Sequence, residues 1–449
     1  VSTSASPPPV SPGLRWSGAG VFAVVLAWAV AKYVSAWWWV WRPEEFSDTY
    51  YYFLAAEAAV ATGELAQALP EYPTPAGWLL LAPYLLGAHD YVAYRGAVMA
   101  MTTVADAAFA LVLGRVAGPI GVLGWIGLTT ALGSLPLLRF DMLPAAAAGI
   151  ALLLIVQRRG SGAAVMVALG TGLKVWPIVL APLILAGRRR AAAVVTFVVS
   201  GLTLVLGSVL VGGWDRLLSP LTHQRERGLQ IEAVAALVPM WSWSRGGDQT
   251  IGYSEFHAYE VAGAGVDGWL LAAQAAALAA ALACGVLLLV WLFRGAEVGA
   301  ASWLALGLVG AFIVTSPALS PQYLLWLAPP AAVLLGTADR QDAGAPSWPR
   351  AAATWAAALA LCVLTTVIYP VAYDALLQHR PTTTAALTVL TARNLGLVVL
   401  VVGCLEAAWG AVGGNPRKPV RGNRPRSLEL AGRRFRTEED ADGDAGRDD

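Results

Sequence analysis

The residues best equipped for chemistry in this sequence are few, and they sit between long apolar runs. Asp48 follows Glu44 and Glu45 and leads into a row of rings, Tyr50-Tyr51-Tyr52-Phe53. An acid held between an apolar helix end and a surface helix is partly desolvated, which raises its pKa and suits a general base. The local Ser47-Asp48-Thr49 context equally suits a helix cap. Arg139 and Asp141 flank a helix start, as a functional pair or as a cap and its neighbour. Lys174 stands alone in an apolar hairpin, where an ionisable side chain is costly and usually serves a site. The other reading is a lysine that snorkels to the interface.

Two later segments add polar groups. His223-Gln224-Arg225-Glu226-Arg227 runs on to Gln230 and Glu232. Two arginines and a histidine so close can grip a phosphate through charge-assisted hydrogen bonds, although a solvated helix has the same charge pattern. Trp241, Trp243 and Tyr253 offer flat faces on which a sugar could stack, or serve as interfacial anchors. In Ser316–Trp326, Pro317 and Pro321 interrupt a helix pair next to Gln322 and Tyr323, and so free backbone groups that can line a polar cavity. His223 and His257 lack ligand spacing, so no metal site is expected.

The elements that must position these groups are membrane helices. The 449-residue chain is 57% hydrophobic and 13% charged, whereas a soluble domain is about half apolar and about a quarter charged. Uncharged runs such as Val21–Ala31, Ala145–Val156 and Val194–Val211 belong to stretches approaching the length that crosses a bilayer, about 20 residues. Period-two alternation is absent, which argues against a membrane barrel. Cys284, Cys362 and Cys404 lie in apolar stretches and read as small hydrophobes. No cleavable signal peptide is evident, and the first apolar segment reads as a retained helix with an aromatic belt at Trp37, Trp38, Trp39 and Trp41.

Basic residues set the orientation. Placing Arg158-Arg159, Arg188-Arg189-Arg190, Arg294, Arg340 and Arg350 in the cytoplasm requires Pro75–Gly87 to be an interfacial helix rather than a span. Thr49–Thr62 is expected as a second, amphipathic surface helix. Ser161–Gly187 becomes two short helices with Lys174 near their turn. The expectation is an all-α polytopic bundle of about 12 membrane helices over 14–412, both termini cytoplasmic. Val1–Gly13 and 413–449 are expected as disordered tails. Four segments then share the outer face: Trp41–Tyr91, Arg139–Asp141, Trp214–Asp267 and Ser316–Gln322.

The segments Phe46-Ser47-Asp48, Glu71-Tyr72-Pro73-Thr74-Pro75, Arg139-Phe140-Asp141, Lys174-Val175-Trp176-Pro177, Arg227–Glu232 and Ser320–Trp326 together resemble the GT-C membrane glycosyltransferases. The likeness is greatest to glycosyltransferase family 87, the actinobacterial polyprenyl-phosphate-mannose-dependent mannosyltransferases. It covers nearly all of Leu14–Val412 and neither tail. It implies transfer of a sugar, most readily mannose, from a polyprenyl-phosphate donor to a glycolipid or cell-envelope glycan. The transfer takes place at the outer face of the plasma membrane, with inversion and Asp48 as base. By the same reading Lys174, Arg225, Arg227, Arg139 and His223 hold the donor phosphate. Tyr72, Asp141, Gln230, Glu232, Gln322 and Tyr323 meet the acceptor or sugar. No cofactor, obligatory metal or nucleic-acid partner is implied. Family members usually carry Tyr-Pro-Pro where Thr74 here separates two prolines, a departure that bears on the shape of that loop. The competing reading is a secondary transporter or lipid-linked-sugar flippase, which predicts an internal repeat and ionisable groups near the midplane. Leu14–Gly213 and Trp214–Val412 show no such repeat.

Overall fold

The computed structural model describes residues 17–40, 48–187, 189–340, 342 and 344–413, without the side chains of 38–40, 225 and 226. The terminal segments 1–13 and 414–449, the residues 41–47 and Arg188 lie outside the described residues, so the expected tails do too.

Within these limits the chain is a helical bundle and a multi-pass membrane protein. Seven helices are long and apolar enough to cross a bilayer, and shorter apolar helices fill the space between them. The outward faces carry Val195, Leu202, Leu210, Leu271, Leu278 and Val399. Bare apolar surface on that scale marks contact with lipid. The centre is formed by α6 (Met142–Val156), α11 (Ala301–Thr315) and α12 (Leu324–Gly336), nearly every residue of which is buried. At 13 residues α12 is too short to cross alone, and Pro329-Pro330 within it are enclosed by protein. Gly149 permits the closest approach here. A Cβ at that position would collide with the Phe109 ring and lie 2.8 Å from Pro329 Cβ.

Local chemistry sets the breaks. The helix α4 (Tyr91–Ala131) kinks at Gly118, whose φ of 72° suits glycine, just before Pro119. Its two parts, before and after the kink, serve as two of the membrane segments expected. The helix α8 (Arg190–Glu226) breaks likewise at Gly213 but resumes, so the outer segment expected from Trp214 begins as helix. The helix α7 (Gly160–Leu173) ends at an extended Lys174. The return, Trp176–Leu185, is 3-10 rather than α-helical. Pro177 and Pro182 remove two donors there and favour the tighter winding. Among the described residues, these segments with α1 (Gly18–Val40), α10 (Val266–Phe293), α13 (Trp348–Thr366) and α15 (Thr383–Gly413) correspond to the twelve membrane segments expected.

The basic residues assigned to one side do gather at one end. Arg158 reaches Asp342 at 3.3 Å, Arg190 donates to Gly295 O at 2.9 Å, and Arg294 donates to Val412 O at 3.5 Å. Elsewhere lie α2 (Asp48–Thr62), α3 (Thr74–Leu85) and a small sheet absent from the helical expectation. In α2 the buried residues Thr49, Tyr52, Phe53, Ala56 and Ala59 recur at helical spacing, so one face packs inward, but Tyr50, Leu54 and Val60 make the exposed face apolar too, unlike the amphipathic helix expected. In the sheet, β3 (Tyr259–Ala262) pairs antiparallel with β1 (Leu229–Gln230) and β2 (Thr250–Tyr253), setting Leu229 opposite Val261 and Gln230 opposite Glu260.

A buried charge cluster ties α1 to α4. Lys32 Nζ lies 2.7 Å from Asp106 and 3.2 Å from Thr129 Oγ1, while the indoles of Trp28 and Trp125 donate to the same carboxylate. Both carboxylate oxygens are thus occupied, and the pair reads as a helix-to-helix tie.

Candidate functional site

Beyond the ends of α6, α7 and α12 lies a cavity of about 640 Å³. Its walls come from all four segments assigned to one face, from the break at Lys174, and from Tyr369 and Tyr373 after α13. Of the twelve expected site residues, Asp48, Tyr72, Arg139, Lys174, His223, Arg227, Gln230, Glu232, Gln322 and Tyr323 line it. Asp141 lies directly beneath, and the Arg225 side chain lies outside the described residues.

Asp48 opens α2 with an acid in the first turn, where the helix dipole favours negative charge. Its carboxylate, 30% exposed, forms an ion pair with Arg139 and accepts from Tyr52 Oη at 3.4 Å. The acid expected as a partly desolvated base is thus half of an ion pair. Arg139, expected at the donor phosphate, is engaged by Asp48 and donates to Tyr369 Oη at 2.9 Å. Tyr52 and Tyr72 hydroxyls meet at 2.8 Å. Burial lifts both phenols well above the ordinary range.

Asp141 occupies the N-cap position of α6 but makes no capping bond. Its fully buried carboxylate takes Lys174 Nζ on both oxygens, at 2.8 and 2.9 Å, and the Trp326 indole at 2.6 Å. That arrangement corrects the expected sugar-binding role, since Asp141 faces Lys174 rather than the cavity. Rings of Tyr72, Tyr323 and Trp326 surround the ammonium at 5.5–5.8 Å from their centroids, a cation–π cage. Trp326 in turn stacks on Trp176 and Tyr323. Lys174, 20% exposed, thus brings an ammonium paired with Asp141 to the cavity wall.

Gln230 is largely spent on the fold. Oriented with its amide nitrogen toward the 318–320 turn, it meets Ser320 Oγ, Leu319 O and Ala318 O at 3.0–3.1 Å, and its backbone N–H donates to Pro317 O. Gln322 Oε1 and Arg227 Nε are buried without hydrogen-bond partners among the described residues. His223 packs edge-on against Phe256. Glu232 is 2% exposed, and burial lifts its carboxyl to about 7 against the pull of Arg393.

Several groups were not expected. Tyr51 lies beside Glu71, and burial followed by that acid's charge raises its phenol. Arg216 is 2% exposed and clamps the loop before α3: Nε donates to Ala66 O at 2.8 Å, Nη1 to Tyr72 O at 2.9 Å, and Nη2 to Ala68 O at 3.3 Å. Ser219 Oγ adds a bond to Pro70 O at 2.7 Å. The sequence signal was an arginine three residues past a Gly-Gly break in an apolar helix. Replacing Arg216 with Ala is expected to cost about 3 kcal/mol, the upper value for one charge-assisted bond, because several loop carbonyls lose their donor. A melting temperature equal to wild type in the purified variant would rule out this clamp.

No protein-family model and no curated protein matches the sequence. Two solved structures of ArnT from Cupriavidus metallidurans are similar to this chain. The one bound to undecaprenyl phosphate has 13% identity and a TM-score of 0.43, covering 87% of this chain and 78% of that one. The apo structure has 14% identity and a TM-score of 0.42, covering 88% and 78%.

Proposed function

We propose that this protein is a membrane glycosyltransferase that moves a sugar, mannose in the first instance, from a polyprenyl-phosphate donor to a hydroxyl of a glycolipid or cell-envelope glycan. The observation that carries the reading is one cavity, at the end of a bundle of membrane helices, whose lining combines Asp48, ion-paired with Arg139, and the cations Lys174 and Arg227.

In the reaction, Asp48 accepts the proton of the acceptor hydroxyl as its oxygen attacks the anomeric carbon from the face opposite the phosphate. The bond from that carbon to the phosphate oxygen breaks, its electron pair stays on the phosphate, and configuration inverts. A lipid phosphate leaves as a stable anion, so it needs electrostatic support rather than a proton. Lys174 and Arg227 supply it, with His223 in the lining of the same cavity. Arg139 orients the Asp48 carboxylate through its ion pair. Tyr72, Gln322 and Tyr323 border the sugar.

The cavity opens to the extracytoplasmic side of the plasma membrane, with both termini cytoplasmic. This orientation is supported by the gathering of Arg158, Arg190 and Arg294 at one end of the bundle. Membranes containing the wild-type protein should transfer radiolabel from polyprenyl-phosphate-mannose to an endogenous acceptor. Failure to transfer from any polyprenyl-phosphate sugar would end this reading.

A further inference from the structure

We infer that a groove between α9 (Leu237–Ser244) and α15 binds an anionic phospholipid, its phosphate held by Arg245 and its acyl chains laid along α15. The groove shares no residue with the sugar-transfer cavity and does not depend on the transfer reaction.

Helical spacing builds both walls. Val238, Trp241, Ser242 and Arg245 occupy positions i, i+3, i+4 and i+7, so they form one stripe on α9 and its C-cap. Thr391 faces them from α15, and the Trp241 indole donates to its Oγ1 at 3.0 Å, which joins the two walls. The groove between them has a volume of about 790 Å³. Beyond Thr391 the same stripe of α15 continues as Leu395, Val399 and Val402, each half exposed or more. By the helical rise these three lie about 6, 12 and 16 Å further along the axis, towards the middle of the bilayer. Arg393, fully buried, turns the other way, into the bundle against Glu232.

The chemistry of the groove selects its occupant. Arg245 is exposed, lies 5.2 Å from the centroid of the Trp241 ring, and has no ion-pair partner among the described residues. The ring steadies the guanidinium and leaves its N–H fork for an outside acceptor, and that fork matches two oxygens of a phosphate. The exposed apolar stripe next to it belongs to a helix long enough to cross the bilayer, where hydrocarbon chains cover it. The phosphate is therefore that of a lipid rather than a free ion. Among the described residues the lining holds one cation and no acid. The ammonium of a zwitterionic headgroup meets only Arg245 there, whereas an anionic headgroup brings its net charge beside an opposite one. The Ser242 hydroxyl, one turn before Arg245, offers a hydrogen bond to a polyol headgroup. Of the two roles open to Trp241 in the sequence, this position gives it that of an interfacial anchor.

The experiment places the full chain in nanodiscs of equal parts phosphatidylglycerol and phosphatidylethanolamine. A photo-crosslinking amino acid replaces Val238, 52% exposed, and the captured lipid is identified by mass. Phosphatidylglycerol should be captured about fivefold over phosphatidylethanolamine, the worth of one basic side chain towards anionic lipid. Arg245→Gln should bring the two to parity. The same probe in place of Leu395 repeats the measurement from the other wall, so the result does not hang on one substituted position. In place of Leu282, exposed on α10 outside the groove, the probe should capture both lipids equally in either background, which shows that Arg245→Gln still folds and inserts. Parity at Val238 and Leu395 in the wild-type background, an equal preference at Leu282, or a preference that survives Arg245→Gln overturns the inference. Adding polyprenyl phosphate as a minor component should leave the captured lipid unchanged. Its capture in preference to phosphatidylglycerol would assign the groove to a lipid of the transfer reaction and overturn the phospholipid as occupant.

Discussion

Replacing Asp48 with Asn is expected to slow sugar transfer by about 10²–10⁴-fold, the usual contribution of a positioned general base. The amide keeps the size of the side chain and an acceptor oxygen for Arg139, which also retains Tyr369 as a partner. The variant should therefore fold, insert and bind donor within a few-fold of wild type. Loss of rate at saturating donor with unchanged donor affinity is the pattern of a group acting on the transition state rather than on binding. The measurement is single-turnover transfer in membranes containing equal amounts of each protein. A wild-type rate in Asp48→Asn would remove this carboxylate from the mechanism, and Glu71, half-buried beside Tyr51, would be the next acid to test.

Lys174→Ala is expected to act twice. Donor use should fall, because the fixed cation at the phosphate end is gone. Stability should fall by about 3–5 kcal/mol, because, among the described residues, the enclosed Asp141 carboxylate keeps only the Trp326 indole as a hydrogen-bond donor. Combining Lys174→Ala with Asp141→Asn separates the two effects. With both charges removed, most of the melting temperature should return, while the donor KM stays raised. The cage of Tyr72, Tyr323 and Trp326 remains in every variant, so changes in packing are small against the change in charge. Should the double variant regain the wild-type donor KM, Lys174 serves only to neutralise Asp141.

The membrane class, the helical segments and the residues sharing one face could all be read from the amino-acid order. Each depends on short-range properties: the length of an apolar run, the position of prolines, and which connections carry arginine. That is why Lys174 was expected at a turn and stands at the break between α7 and the 3-10 return. It is also why ten of the twelve expected residues line one cavity. The rule that singled out Lys174, a charge inside an apolar stretch, also applies to Lys32, Asp106 and Arg393. All three are enclosed in ion pairs.

What no local pattern carries is who meets whom. Asp141 looked like a cap, and only the folded chain gives it Lys174, 33 residues away. Glu232 looked like one charge among several in a polar loop until packing set it against Arg393, 161 residues away. Asp48 could be expected in a polar cavity, but not with Arg139 as its counter-ion. Burial and pairing arise where distant segments close on one another, so the amino-acid order determined which groups reach the cavity. The tertiary structure alone decided which are neutralised in pairs and which remain for a substrate.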